Sequence, residues 1–287
     1  MHTNSLPSEH IDVVAAVDPD AYTAAAVSSG YADMRDYEAL MAIGLAGDLV
    51  TNATLDLKLQ SAVAASGGAD IDGKAITQLD EANSPTDSNK QAIINLRRGE
   101  LTEGHRYVKM VRTLGTAGGD EAALLLGFKG AIVANNLPSE VAAVVATVDP
   151  DAYAPGATLS DAIDMANWHA ALGILLIGDL GTDGTVVMKW TQAATSGGVY
   201  KDVSGATTAT IDQADSPDPS NQRIKLDLRA DQMDAENGYR FAKLSVTVGD
   251  ASSPASATSD VAAVALGVWP KVGVASAYDL ASVDEIV

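Results

Sequence analysis

The sequence predicts an all-β protein made of two tandem antiparallel β-sandwich domains, immunoglobulin-like or jelly-roll-like. Three observations predict it. The chain is written twice: Leu6-Pro7-Ser8-Glu9 returns as Leu137-Pro138-Ser139-Glu140, and Val17-Asp18-Pro19-Asp20-Ala21-Tyr22 returns as Val148-Asp149-Pro150-Asp151-Ala152-Tyr153, both at an offset of 131 residues. Short stretches alternate apolar and polar residues with the period of two that marks a half-buried strand. The vocabulary is small and β-leaning, with only 2 Phe, 8 Tyr and 3 Trp among 287 residues, and turn formers punctuate it throughout.

A repeat near 131 residues is too long for a solenoid or propeller unit, so each copy is expected to be a complete domain with its own core. Later landmarks keep nearly the same register: Gly47-Asp48 with Gly178-Asp179, Ser84-Pro85 with Ser216-Pro217, Leu96-Arg97 with Leu228-Arg229, and Leu126-Gly127 with Leu266-Gly267. The expected division is residues 1–136 for the first sandwich with a short N-terminal arm, 137–270 for the second, and a C-terminal arm at 271–287 that has no counterpart.

The strands can be taken in order. Val13–Val17 and Val141–Val148 open the copies. Tyr37–Leu45 matches Trp168–Leu176 and supplies a partner for the strand that follows, across turn-rich Val50-Thr51-Asn52 and the Asp183-Gly184 hairpin signal. That next strand is the clearest, with Leu55, Leu57 and Leu59 on one face, kept in the second copy as Val186, Met188 and Trp190. A weaker strand falls around Ala75–Leu79 and Thr208–Ile211. Then come Ala92, Ile94, Leu96 (Ile224, Leu226, Leu228) and Val108, Met110, Leu114 (Ala242, Leu244, Val248). Arg112 interrupts the last set where the second copy has Val246, which suggests an edge or a bent register. Ala122–Leu126 and Val261–Leu266 close the copies. About seven short strands per copy fit a sandwich. The Ala- and Met-rich stretches 32–45 and 160–177 also have room for a helical turn before the strand.

Composition bounds the function. The formal charge is −20, divided as −8 over residues 1–136 and −12 over residues 137–287, which opposes binding to nucleic acid and to anionic membranes. No cysteine is present, so disulfides and thiolate metal sites are excluded and synthesis in a reducing compartment fits. The first ten residues lack the layout of a signal peptide, and no apolar run approaches the roughly 18 residues of a membrane span, so a soluble protein is expected.

A search for chemistry finds mostly turns. His2, His10, His105 and His169 share no metal-ligand spacing and none recurs in the other copy. Gly115-Thr116-Ala117-Gly118-Gly119 lacks the Lys and the helix of a phosphate loop. The pairs Asp18/Asp20 and Asp149/Asp151 offer two oxygens each, short of the six to eight that calcium takes, and a Pro-set turn explains them as well. The Ser84–Asn89 and Ser216–Asn221 loops read the same way. Hence no catalytic, metal or cofactor site is assigned, and no enzyme activity is expected.

One pattern stands out. Basic residues are scarce, yet Lys90, Arg97, Arg98, Arg106, Lys109 and Arg112 fall in one segment, and Arg223, Lys225, Arg229, Arg240 and Lys243 repeat the bias. If the two strands they flank place them on one sheet, they form a stripe. Such a stripe is either a solvated face balancing Glu100, Glu103, Asp227 and Asp231, or a docking surface for an acidic protein.

The landmarks resemble a family of small structural proteins of tailed bacteriophages, encoded near the major capsid protein. The parts that carry the resemblance are Asp18-Pro19-Asp20-Ala21-Tyr22, Tyr37, Lys58 to Ser61, His105-Arg106-Tyr107-Val108-Lys109 and Leu126-Gly127-Phe128. In the second copy they are Asp149 to Tyr153, Trp168, Tyr239-Arg240-Phe241-Ala242-Lys243 and Leu266-Gly267. The chain departs from the family outline in having two copies and the 271–287 extension. The resemblance implies a non-enzymatic decoration or cement protein, made in the host cytoplasm and bound outside the capsid. Its implied partners are the major capsid protein lattice and neighbouring copies of itself. A tail, baseplate or surface-fibre module binding host glycans or protein is the alternative; sugars stack on exposed aromatics, for which Trp168, Trp190, Trp269 and some tyrosines are the candidates, Trp190 reading as core.

Overall fold

The computed structural model describes residues 5–82, 86–130, 136–215, 219–250 and 258–287, with position 250 by its backbone alone. The Ser84-Pro85 and Ser216-Pro217 landmarks lie outside the described residues. Among the described residues the chain is almost entirely β, and its strands pair antiparallel apart from one added edge strand.

Two compact units form, and neither is one continuous stretch. The N-module holds His10–Val141, Asp149–Asp151 and Ala281–Val287; the C-module holds residues up to Glu9, then Ala142–Val148 and Ala152–Leu280. This division differs from the cut at 136/137 and the separate arm at 271–287 read from the sequence, because residues up to Glu9 and Ala281–Val287 pack with the module remote from them in sequence.

In the N-module, β1 (Ile11–Tyr22), β2 (Ala25–Ser28), β3 (Ala32–Asp33), β4 (Ala39–Leu49), β5 (Thr54–Ala62), β6 (Ala69–Ala75), β7 (Leu79–Asp80), β8 (Gln91–Arg97), β9 (Tyr107–Gly115) and β10 (Gly119–Phe128) form two sheets. One runs β1-β10-β4-β8; the other runs β2-β9-β5-β6, with β3 paired to β9 and β7 to β5. In the C-module the series is β11 (Ala142–Tyr153), β12 (Gly156–Leu159), β13 (Ile163–Asp164), β14 (Trp168–Ile177), β15 (Gly184–Ala193), β16 (Lys201–Thr207), β17 (Ile211–Asp212), β18 (Arg223–Arg229), β19 (Phe241–Asp250) and β20 (Ser259–Pro270). Its sheets are β11-β20-β14-β18 and β12-β19-β15-β16, with β13 on β19 and β17 on β15. The two strand orders are the same. Counting the eight principal strands of either module and omitting the two-residue bridges, the sheets read 1-8-3-6 and 2-7-4-5. That is the jelly roll, which decides between the two sandwich types left open by the sequence.

This topology explains three differences from the sequence reading. β4 and β5 are not hairpin partners: β4 pairs with β10 and β8, while β5 pairs with β9 and β6, so the turn at Asn52 (φ 65°) crosses between sheets. The same holds at Asp183 (φ 58°) in the C-module. No helix forms over 32–45 or 160–177. There the backbone makes the short β3 and β13 bridges and then enters the long β4 and β14 strands. The weaker strand also falls elsewhere, at β6 with β7 and at β16 with β17. Pro19 lies within β1 at an irregularity between Val17 and Asp20, where a strand tolerates a residue without an N–H. The Asp-Pro-Asp segments are thus strand and not turn.

Each core lies between the two sheets of its module. Leu55, Leu57 and Leu59 point inward and are at most 1% exposed, as are Val186, Met188 and Trp190. β4 and β10 do not alternate because almost every position is buried, the behaviour of strands covered on both faces. The closing Leu-Gly landmarks have a steric cause. A Cβ on Gly127 would lie 2.3 Å from the Tyr37 ring, and one on Gly267 would lie 2.3 Å from the Trp168 ring. Each glycine leaves room for the aromatic residue that leads the neighbouring strand or its approach. The Leu-Pro-Ser-Glu landmarks are single helical turns, α1 (Pro7–His10) and α2 (Pro138–Val141). In each, the glutamate accepts the leucine N–H, Glu9 from Leu6 at 3.0 Å and Glu140 from Leu137 at 2.6 Å.

Terminal segments complete the sheet edges. Ser8 of α1 donates its N–H to Asp227 on β18 at 2.9 Å, and its hydroxyl bonds the same carboxylate. In the equivalent place Ser139 of α2 donates its N–H to Asn95 on β8 at 3.0 Å. The N-module gains a further strand, β21 (Val283–Ile286), laid parallel along β8. Gln91 donates to Ser282 O at 2.9 Å and Asn95 to Val287 O at 2.7 Å. The preceding residues anchor in the C-module, where Asp279 accepts the Val144 N–H at 2.7 Å. Burial pushes the Asp279 carboxyl up to about 7.

Replacing Gly267 by alanine forces its methyl against the buried Trp168 ring. Urea unfolding is expected to show a loss of about 1–3 kcal/mol, the usual cost of overpacking. Unchanged stability would show that Trp168 has room to move aside.

Candidate docking surface

The eleven basic residues singled out in the sequence do not form one stripe. Lys90, Arg97, Arg223, Lys225 and Arg229 lie on or beside β8 and β18, with Arg98 just beyond β8, whereas Lys109 and Lys243 lie on β9 and β19 and Arg106 and Arg240 just ahead of those strands. β8 and β9 belong to opposite sheets, as do β18 and β19, so the single-sheet stripe is corrected to two separate rows.

Arg112 leaves the surface altogether. β9 is flanked on both sides by β2 and β5 and keeps an unbroken register with β5, so it is neither an edge nor bent. Arg112 points inward at 1% exposure, 2.6 Å from Glu121 of β10, which is fully buried. Tyr22 covers the guanidinium, its ring centroid 4.0 Å from the Arg112 Cζ. Burial outweighs the attraction of Arg112 and lifts the Glu121 carboxyl to about 7. The same desolvation lowers Arg112 from its ordinary value. The equivalent ladder positions in the C-module are Val246 and Val261, each 1% exposed. The two modules therefore offer opposite solutions at one place, a buried ion pair and an apolar pair.

Local acids meet most of the other cations. Arg97 lies 3.8 Å from Glu100, Arg98 lies 3.3 Å from Glu38, and Arg229 lies 2.9 Å from Asp231. Lys90 faces Asp284 at 3.8 Å, and Lys225 donates to Ser8 O at 3.0 Å. Arg223 is exposed at the start of β18. Arg106 and Arg240 are equivalents that grip Asp33 and Asp164 of β3 and β13. The Arg106 hydrogen bonds hold the Asp33 carboxyl far below the usual carboxylate range, and Arg240 lowers Asp164 in the same way. These pairs tie the short bridging strands to the start of β9 and β19.

Two lysines differ. Lys109 lies 5.5 Å from the centroid of Tyr31, and Lys243 lies 5.1 Å from that of Tyr200. Both are half-buried, at equivalent register positions opposite Gln60 and Thr191. Other rings and cations of the same segments also meet. Tyr31 meets Tyr107 edge to face at 6.4 Å, Arg106 covers Tyr107, Arg240 lies over Phe241, and Lys201 lies over Tyr239. Sequence reasoning found the cations and missed Tyr31 and Tyr200, which lie in loops with no strand periodicity to assign them.

A cleft of about 260 Å³ opens in the N-module among Arg35, Arg98, Glu103, His105 and Arg106. Beside it, Ser61 and His105 share a 2.7 Å hydrogen bond between Oγ and Nδ1. Among the described residues no carboxylate orients that imidazole, and Ser61 is 3% exposed. In the C-module, the equivalent Gln192 accepts the Asp234 N–H at 2.8 Å. Both contacts tether the loop ahead of β9 or β19, so this pair is a strut. Among the described residues, no group of three or more His, Asp or Glu is placed to hold a metal ion. Among the described residues no helix is long and apolar enough to cross a membrane.

No protein-family model and no curated protein matches the sequence. Solved structures are similar only distantly. The PBSX exported protein XepA matches at 12% identity over 92% of this chain and 88% of its own, with a TM-score of 0.31. Broad Bean Stain Virus matches at 9% identity over 99% and 96%, with a TM-score of 0.33. PNGase F, a glycosylasparaginase from Flavobacterium meningosepticum, matches at 9% identity over 90% and 96%, with a TM-score of 0.32. Likenesses this distant carry no argument about family or activity.

The buried pair supplies a direct test. Arg112→Val or Glu121→Val alone is expected to cost about 3–5 kcal/mol by stranding one charge, while the double valine variant is neutral or more stable. Because folding raises the Glu121 carboxyl towards 7, its contribution is fully present below about pH 4 and is lost as pH rises through 7. The double variant should lack that component in pH-dependent denaturation. Additive losses in the double variant would contradict the pairing.

Proposed function

We propose that the chain is a non-enzymatic virion structural protein, a decoration or cement protein that binds the outside of a tailed-phage head and stabilises the shell. The observation that carries the reading is the doubled jelly roll, two complete sandwiches on one chain with the same strand order and equivalent cation–aromatic faces. Such a molecule is suited to repeated adhesion: a stiff scaffold, two equivalent contact faces, and affinity gained by linking weak contacts. The Asp-Pro-Asp, His105–Lys109 and Leu126–Phe128 landmarks that resemble phage structural proteins support the capsid as the target. The major capsid protein lattice is then the partner, with neighbouring copies beside it, and the capsid exterior is the location. Turnover has less support, because Ser61 and His105 act as a loop strut. The glycan-binding alternative loses two of its aromatic candidates, since Trp168 and Trp190 are at most 1% exposed.

Mass spectrometry of purified virions should find the chain in fixed ratio to the major capsid protein. Heads assembled without it should release DNA at lower temperature. Normal, equally heat-resistant particles that never contain the chain would overturn the reading.

A further inference from the structure

Lysine placement sets two positions apart from all the others. Lys58, Lys74, Lys90, Lys129, Lys189 and Lys201 each face a carboxylate within 4 Å. Lys225 and Lys271 donate to backbone carbonyls at 3.0 Å. The ammonium groups of Lys109 and Lys243 alone make neither an ion pair nor a hydrogen bond among the described residues. They occupy the same register position of β9 and β19, in a chain with 38 acidic side chains and 18 Lys and Arg.

Each is held by a tyrosine instead, and the two tyrosines come from different places. Tyr31 sits between β2 and β3, and its hydroxyl donates to Gly67 O; Tyr200 sits just ahead of β16, and its hydroxyl donates to Ser196 O at 2.9 Å. Those acceptors belong to the loops Ser66-Gly67-Gly68 and Ser196-Gly197-Gly198, which occupy matching positions after β5 and β15. The modules thus build one corner by two sequence routes. A ring face holds an ammonium by its quadrupole without neutralising it, so each lysine keeps its charge available.

We propose that the Lys109–Tyr31 and Lys243–Tyr200 corners are a matched pair of docking points for carboxylates on an acidic protein partner. In a molecule of net charge −20, such a partner is repelled everywhere except where a cation remains uncompensated, so the corners set the register of approach. Two points on one chain give bivalent attachment. This deepens the adhesive reading by naming its contact chemistry, and it can fail or stand independently of the virion.

The test is NMR titration of the full isotope-labelled chain with hexaglutamate peptide near physiological salt. Saturable shifts are expected around Lys109, Tyr31, Lys243 and Tyr200, and none with hexaserine. Lys109→Ala with Lys243→Ala should weaken binding about tenfold or more, since close charge pairs carry such complexes. Lys58→Ala with Lys189→Ala removes the same net charge from ion-paired lysines and should leave binding unchanged. Lys109→Arg with Lys243→Arg should retain it, which separates charge from any loss of fold. Absence of shifts at both corners, shifts centred on the Arg35/Arg98 cleft, shifts that survive the double alanine variant, or equal shifts with an oligonucleotide would each overturn the proposal.

Discussion

The architecture depends on how the edges of β8 and β18 are completed. A jelly-roll sheet ends in a strand with unpaired backbone groups, and such an edge must be covered or it becomes a site of aggregation. In the N-module the cover is β21 with its two flanking residues, Val287 accepting the Asn95 N–H and Ser282 the Gln91 N–H. In the C-module, Ser8 is fastened to Asp227 of β18 and to the Lys225 ammonium. Each module therefore needs residues remote from it in sequence.

Given closed edges, the rest follows from packing. Paired inward rows fill the space between the sheets, and a glycine leaves room where an aromatic side chain from the neighbouring strand of the same sheet, or its approach, must fit, as at Gly127 under Tyr37 and Gly267 under Trp168. The Arg112–Glu121 pair is a costly solution to a position that the C-module fills with two valines. A buried ion pair rarely adds stability over apolar side chains of similar size, so the pair in one module is no stronger a solution than the two valines in the other.

Much of this was legible in the residues. Alternation at Leu55, Leu57 and Leu59 placed a strand correctly because one face of it is solvated. The same rule misjudged the neighbour of that strand, since Asn52 makes a tight turn whether the chain returns along one sheet or crosses to the other. Arg112 was misread for a related reason: its partner Glu121 lies on β10, in the opposite sheet, and no spacing links the two. The basic residues were visible, but which of them local acids neutralise is decided by three-dimensional proximity. Lys109 and Lys58 look alike in sequence and differ only in what faces them.

Hydrogen exchange on the intact chain and on a chain ending at residue 280 tests the edge constraint most directly. Loss of β21 should expose the Gln91 and Asn95 amides, lowering their protection and that of β8, while β14 and β15 in the C-module keep theirs. Unchanged protection along β8, or an equal loss in both modules, would contradict the account.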